Sequence, residues 1–280
     1  MTCLSRAVSF LETKDQYHSD DRLAVTLLPG FARFLIHIPL CRKLFVRILA
    51  PRGVYEYVIA RTKYIDAAFE KALTERFDQV LLFGAGFDTR ALRFYSKSEH
   101  TRIFELDSPL TQKAKIQQYG RRNLRIHSNL VFIPIDFEKD SLPAKLDMAG
   151  FKKGRRTLFI LEGLLMYLEP AAVRSTFQTI RNYSGRGSRV VFDYVQASVL
   201  RREGSLYGEN KLAQTVSKAG EKWRYGIEPD EIVSFAAAYG LEVSNHMCAR
   251  ELEATYFQIG RGRPVARING THCIVTMERR

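Results

Sequence analysis

Two glycines and a set of acids mark where this sequence could do chemistry. The run Val80-Leu81-Leu82-Phe83-Gly84-Ala85-Gly86-Phe87-Asp88-Thr89-Arg90 passes from an apolar stretch into a Gly-x-Gly turn and then into a helix start. Glycines let the backbone take tight or positive-φ conformations, and their missing side chains let a ligand approach the main chain at the carboxyl edge of a sheet. A second apolar stretch ends Ile103-Phe104-Glu105-Leu106-Asp107, which places Asp107 21 positions beyond Gly86. A carboxylate there can accept both hydroxyl hydrogens of an adenosine ribose, because the second strand neighbours the first in such sheets. Glu105 points the same way on a strand and is a second candidate, although the strand-end position favours Asp107.

The turn also discriminates between adenosine ligands. Thr89 stands where a dinucleotide fingerprint carries its third glycine, the one that permits close helix packing and seats a pyrophosphate on the helix end. This counts against an NAD-dependent oxidoreductase. An S-adenosylmethionine site has no phosphate to hold and tolerates Ala85 and Thr89, but its amino-acid end needs partners for a carboxylate and an ammonium. Arg61 and the turn backbone can meet the first need. A third stretch ends Ile133-Pro134-Ile135-Asp136-Phe137, where Asp136 could accept the exocyclic amine of adenine and Phe137 could offer its backbone and ring edge. Asp136 reads equally well as a surface acid that starts a turn before Glu138-Lys139-Asp140. In Leu161-Glu162-Gly163-Leu164-Leu165-Met166-Tyr167, Glu162 stands among apolar residues and needs a cationic partner, either the donor's ammonium or an arginine.

These residues need a scaffold. From Gln79 onward short apolar runs alternate with longer amphipathic stretches, the rhythm of strands and crossover helices in a doubly wound α/β sheet. Strands are expected at Gln79 to Phe83, Arg102 to Leu106, Leu130 to Ile135, Thr157 to Leu161, Arg189 to Tyr194, Leu241 to Met247 and His272 to Met277. The last two flank a turn-rich stretch with Gly260, Gly262, Pro264 and Gly270. They are expected to pair antiparallel without a crossover helix, giving a mixed seven-stranded sheet closed by a hairpin. The organisation expected is an N-terminal helical extension or lid over 1–75 and a ligand-binding domain over 76–280. Within Phe31 to Leu49, the residues Phe31, Phe34, Leu35, Ile38, Leu44, Phe45 and Ile48 recur at helical spacing among Arg33, Arg42, Lys43 and Arg47, with a break at Pro39. Such a basic amphipathic segment can lie on a membrane surface, but a lid packed on the sheet is the favoured reading.

Composition narrows the partners. A chain of 280 residues that is 46% hydrophobic can bury a sizeable core without disulfides or metals. Its formal charge of +13 attracts anionic partners, yet the Arg and Lys residues are scattered beside turns, so a solvated basic surface is favoured over a nucleic-acid face. Cys3, Cys41, Cys248 and Cys273 lie far apart with no Cys-x-x-Cys pair, and the N-terminus lacks the apolar core of a signal peptide. A reducing, cytoplasmic setting and no metal site are expected. The six histidines form no ligand-spaced set and read as surface or packing residues.

The ordered stretches Ala60-Arg61-Thr62-Lys63-Tyr64-Ile65-Asp66, the Gly84 turn, Phe104-Glu105-Leu106-Asp107-Ser108-Pro109, Asp136-Phe137, Glu162 to Tyr167 and Trp223-Arg224-Tyr225-Gly226-Ile227-Glu228-Pro229 together resemble the leucine carboxyl methyltransferase family, in its bacterial branch. The resemblance implies a class I, Rossmann-like methyltransferase fold. It also implies that Arg61 holds the donor's carboxylate, Gly84 its amino-acid end, Asp107 its ribose and Asp136 with Phe137 its adenine, while Glu162 lies near the ammonium. Gly86 belongs to the same turn, and Tyr167 and Glu162 are the candidates for positioning the reacting groups. The implied reaction is in-line methyl transfer to an oxygen of a small, acidic acceptor; an ionised carboxylate would need no general base. The competing readings are a non-catalytic adenosine-ligand binder of the same fold, an NAD-dependent oxidoreductase and an RNA methyltransferase.

Overall fold

The computed structural model describes residues 2–46, 50–218, 220–259, 262 and 264–280. Its described residues form one seven-stranded sheet of β1 (Gln79–Phe83), β2 (Arg102–Asp107), β3 (Leu130–Pro134), β4 (Thr157–Leu161), β5 (Arg189–Val195), β6 (Glu242–Met247) and β7 (His272–Glu278). The order is β3-β2-β1-β4-β5-β7-β6. Neighbours among β1 to β5 run parallel, and β7 runs antiparallel to both β5 and β6. The strands therefore fall where the apolar runs placed them, to within about a residue at each end.

Successive residues of a strand face opposite sides of a sheet, and here both sides are covered. Val80 and Leu82 of β1, with Leu158 and Ile160 of β4, join one hydrophobic cluster, whereas Leu81, Phe83, Phe159 and Leu161 join another. The first cluster is closed by α1 (Thr2–Phe10), α2 (Arg22–Leu27), α5 (Val54–Thr74) and α13 (Ala249–Tyr256); α3 (Gly30–His37) and α4 (Pro39–Leu44) lie between α2 and α5. The second is closed by α8 (Leu142–Met148), α9 (Pro170–Tyr183) and α12 (Ile232–Ala238). In α9, Pro170 opens the helix where its missing N–H costs nothing, and Val173, Phe177 and Ile180 then fall on one buried stripe. The remaining helices are α6 (Arg90–Arg93), α7 (Pro109–Arg121), α10 (Ala197–Leu200) and α11 (Glu209–Lys218).

The N-terminal helices pack on the sheet: Tyr57, Ala60, Tyr64 and Phe69 of α5 are buried in the same cluster as β1. Three expectations change. The basic amphipathic segment packs only in part: Ile36 and Phe45 are buried in the first cluster, but Phe31, Phe34 and Leu40 are 76%, 67% and 74% exposed, while Arg47, Ile48 and Leu49 lie outside the described residues. Between β6 and β7 a short helix, α13, stands where only turns were expected, with Cys248 and Glu251 forming its capping box; Gly260 lies outside the described residues. Finally, Cys248 and Cys273 are joined in a disulfide although 25 positions apart. Antiparallel pairing of β6 with β7 matches Met247 to Ile274 and so brings the next two residues face to face. Sequence separation was thus no guide to the state of these cysteines.

Candidate functional site

The Gly-x-Gly turn leaves β1 at the carboxyl edge of the parallel strands. Gly84 and Gly86 have φ of +58° and +48°, values that a side chain would make costly, and a Cβ on Gly84 would lie 3.1 Å from Leu164 Cδ1. The end of β2 pins the turn: Ala85 N–H donates to the Leu106 carbonyl at 2.9 Å, and Gly86 N–H donates to Asp107 Oδ2 at 2.5 Å. Ser108 N–H donates to the other carboxylate oxygen of Asp107 at 2.6 Å. Asp107 therefore stands at the turn as the spacing required, with each oxygen keeping capacity for a further donor.

A cavity of about 370 Å³ opens above this turn, lined by Gly84 to Asp88, Arg61, Glu162, Gly163, Met166, Tyr167, Trp223 and His272, with Thr2, Cys3 and Arg6 of α1 closing it from above. Its floor is an ion-pair network. Arg61 donates to Asp193 Oδ2 at 2.7 Å, and its Nε lies 3.1 Å from Glu162 Oε1. Arg90, fully buried, reaches Glu162 at 2.7 Å, Asp66 at 2.6 Å and Asp88 at 2.5 Å. Arg6 pairs with Asp21 at 3.0 Å and donates to the Phe87 carbonyl at 2.9 Å, tying α1 to the loop after the turn. Burial alone would raise the Asp88 carboxyl, but Arg90, Lys115 and Arg6 hold it well below the usual carboxylate range. Asp193 is shifted the same way: Arg61 and His272 together with the Gly163 N–H outweigh its burial.

The opposite end of the cavity is less charged. Arg224 N–H donates to the Met166 carbonyl at 2.7 Å, which docks Trp223 against the Met166-Tyr167 turn. The Tyr167 hydroxyl donates to Glu221 Oε2 at 2.8 Å, and burial together with that carboxylate pushes its phenol up to about 12. The imidazole of His272 packs on Tyr57 with ring centroids 4.6 Å apart and meets the Trp223 ring edge-on at 5.5 Å. Burial holds it down at about 4 despite the nearby Asp193 carboxylate, so it is neutral at ordinary pH.

The structure therefore gathers Arg61, Gly84, Gly86, Glu162 and Tyr167 around one cavity, with Asp107 bonded to its turn. Glu162 has the arginine partners that its apolar surroundings demanded. Asp136 and Phe137 lie outside the cavity lining: Asp136 accepts from Glu138 N–H at 3.0 Å, which is the turn-forming alternative, while the Phe137 ring lies 6.3 Å from that of Phe83, a cavity residue. Glu105 leaves the ribose candidates, because it is buried and paired with Lys115 at 2.6 Å; burial raises its carboxyl to about 7. A larger hollow of about 780 Å³ beside α5 and α6 is walled by ion pairs such as Arg93 with Asp66 and Lys97 with Glu70, away from the glycine turn.

Comparison with known proteins identifies the family. The pattern of the leucine carboxyl methyltransferase family matches residues 2–181. The chain belongs to that family. A relative from Streptomyces coelicolor, provisionally named an S-adenosyl-L-methionine-dependent methyltransferase, is 31% identical over 211 residues, 75% of this chain and 68% of its own length. One from Bacillus subtilis with the same provisional name is 26% identical over 199 residues, 71% of this chain and 65% of its own. A solved structure from Thermobifida fusca, also provisionally a methyltransferase, superposes with a TM-score of 0.60 at 17% identity over 99% of this chain and 94% of that one, a likeness of fold. The protein is thus an S-adenosylmethionine-dependent methyltransferase with a class I fold.

The methyltransferase site also contains residues that the sequence reading passed over. Arg90 was quoted as part of the turn motif but given no role, although it is the cation around which Asp66, Asp88 and Glu162 converge. Asp193 carried a legible signal: an acid inside Val190-Val191-Phe192-Asp193-Tyr194-Val195 must be paired if the strand is buried. Arg6, Asp21 and His272 carried none, because only the packing of α1 and the insertion of β7 bring them to the turn.

Proposed function

We propose that this methyltransferase moves the methyl group of S-adenosylmethionine to an oxygen of a small-molecule acceptor by direct in-line displacement. The observation that carries this reading is the size of the site: a concave cavity of about 370 Å³ bordered by α1 has room for small ligands rather than for a polymer face. The donor is already activated as a sulfonium, so the chain's task is to align the reactants and exclude water.

In this proposal the glycines 84 and 86 admit the donor's amino-acid end, Arg61 faces its carboxylate and Glu162 its ammonium. Asp107 takes the ribose, and Asp136 with Phe137 borders the adenine. The opposite charges of Arg61 and Glu162 at one end of the cavity, next to open main chain, support that orientation. Tyr167 serves to position the acceptor. The family resemblance favours a carboxylate oxygen. Within the helical extension over 1–75, α1 would form the roof, with 76–280 the transferase domain, in a cytoplasmic setting.

Asp107→Ala should weaken donor binding at least roughly tenfold in calorimetry, by loss of charge-assisted hydrogen bonds. Unchanged affinity would remove Asp107 from the site. A metabolite screen with labelled donor should yield methyl ethers or esters; methylated nitrogen or carbon alone would refute the oxygen assignment.

A second property rests on a different observation. Phe31, Phe34, Leu40 and Leu44 are exposed beside Arg33, Arg42 and Lys43, and among the described residues no helix is long and apolar enough to cross a membrane. This pattern supports contact with an anionic lipid surface. The intact protein should co-sediment with phosphatidylserine vesicles, and Phe31→Ser with Phe34→Ser should cut the bound fraction roughly tenfold. Equal sedimentation of both proteins would end this reading.

A further inference from the structure

His272 reaches the cavity by topology. β7 runs antiparallel beside β5, so its first residue, paired with Val195, stands at the same edge as the carboxyl ends of the parallel strands. The hydrogen bonds behind it fix its tautomer. Asn269 Nδ2 donates to the Arg52 carbonyl at 3.0 Å, which orients Oδ1 toward Thr271. Thr271 then donates twice to that oxygen, from N–H at 3.1 Å and from Oγ1 at 2.5 Å. With its only proton committed, the Thr271 hydroxyl must accept at its 2.7 Å contact with His272 Nδ1. Nδ1 therefore carries the proton, and the lone pair is on Nε2 of a ring that lines the cavity.

The groups around this ring keep it neutral, with an acid beside it. From α5, Tyr57 packs on it; from β5, Asp193 contributes a negative field, opposed by Arg61. Among the described residues the cationic side chains lining the cavity are Arg6, paired with Asp21, and Arg61, paired with Asp193 and Glu162 and given above to the donor's carboxylate. The end walled by Trp223, Met166 and Tyr167 therefore offers apolar and aromatic surface with a neutral acceptor nitrogen, and no further cation among the described lining residues for an acceptor carboxylate.

We propose that His272 Nε2 is the general base for a protonated acceptor, so that the substrate class is a flat hydroxyl compound, a phenol or enol. The proposal rests on the oxygen transfer proposed above and replaces the carboxylate acceptor with a hydroxyl. The acceptor oxygen forms the new C–O bond while the donor's C–S pair leaves on sulfur; the O–H pair stays on oxygen and the proton passes to Nε2. Asp193 then stabilises the imidazolium, and Thr271 acts as the positioning residue that keeps Nδ1 protonated throughout.

The test combines spectroscopy with turnover in the intact protein. Nitrogen NMR, with His272 assigned by its loss in His272→Gln, should show a neutral ring protonated on Nδ1. The opposite tautomer would overturn the proposal without any acceptor in hand. With labelled donor and a panel of 2-naphthol and catechol against 2-naphthoate and benzoate, the phenols should accept methyl. His272→Gln and His272→Asn should lower kcat on them roughly 10²- to 10⁴-fold with donor affinity unchanged. What remains in those variants should rise with pH as the phenol itself ionises. Thr271→Val should lose activity and Thr271→Ser regain it. Phenol transfer indifferent to His272, or transfer to the carboxylates alone, would refute the base and leave oxygen transfer standing. Methyl on nitrogen alone, or no acceptor in either class, would count against the oxygen reading and this one together.

Discussion

The two ends of the cavity are built in different ways. The end proposed for the donor is a strand-turn-helix unit whose parts are close in sequence, from Val80 to Arg90, with the end of β2 clamped to it by Ala85 and Gly86. Its charges are dense and paired, with Arg90 held by three carboxylates. The end proposed for the acceptor is assembled from the turn after β4, the Trp223 segment and the start of β7, pieces tens of residues apart. It is poorer in charge and contains a neutral histidine. The contrast separates a rigid, electrostatically fixed cradle for a ligand that never changes from a wall whose residues can vary with the acceptor. Motif-level sequence patterns report the first kind of construction, and of the second they report Tyr167 and the Trp223 segment but not His272.

The sharpest way to break this comparison is to attack the cradle's cation. Arg90→Met removes a charge that is completely buried and leaves Asp66, Asp88 and Glu162 without it. A loss of roughly 3–5 kcal/mol in urea unfolding is expected, because the stranded carboxylates keep their desolvation cost. A loss below about 1 kcal/mol would mean that the network is far better hydrated than its burial implies.

Stability against pH tests the neutral end. His272 is held down at about 4 from an ordinary value near 6.5, mainly by burial. Below 6.5 the unfolded chain takes up a proton that the folded chain refuses, so this group's contribution falls as pH drops from 6.5 toward 4. The cost is about 2 kcal/mol at pH 5 relative to pH 8. Comparing His272→Gln with the parent isolates it: the variant should lose less stability over this window, and parallel curves would contradict a neutral buried ring. The smallest effect is expected at the turn. Gly84→Ala must adopt a φ of +58° and press on Leu164, costing roughly 1–2 kcal/mol, and should weaken donor binding more than it weakens the fold. Equal losses in both would mean that the glycine serves packing alone.

Much of the fold was legible because strands and crossover helices impose periods that a sequence must keep. The apolar runs of β1 and β4 are buried throughout, as strands covered on both faces must be. The site was legible where a residue type was forced: glycine at positive φ, an acid ending β2, an acid among apolar neighbours at Glu162. It was not legible where a partner decided the role. Glu105 and Asp107 look alike in sequence, yet Lys115 from α7 claims one and the Gly86 N–H the other. Phe31 and Phe34 have the spacing of a buried stripe, but no part of the described structure covers them.

By itself the sequence determined the alternation of strands and helices, the glycine turn after β1 and the acids beside it, since these follow from backbone sterics and local spacing. Tertiary structure decided everything that depends on which distant groups meet: the joining of Cys248 to Cys273, the closing of α1 over the turn through Arg6, and the arrival of His272 beside Asp193. The reason is the reversed direction of β7. Running against β5, it puts its first residue at the active edge, where a parallel strand would have put its last.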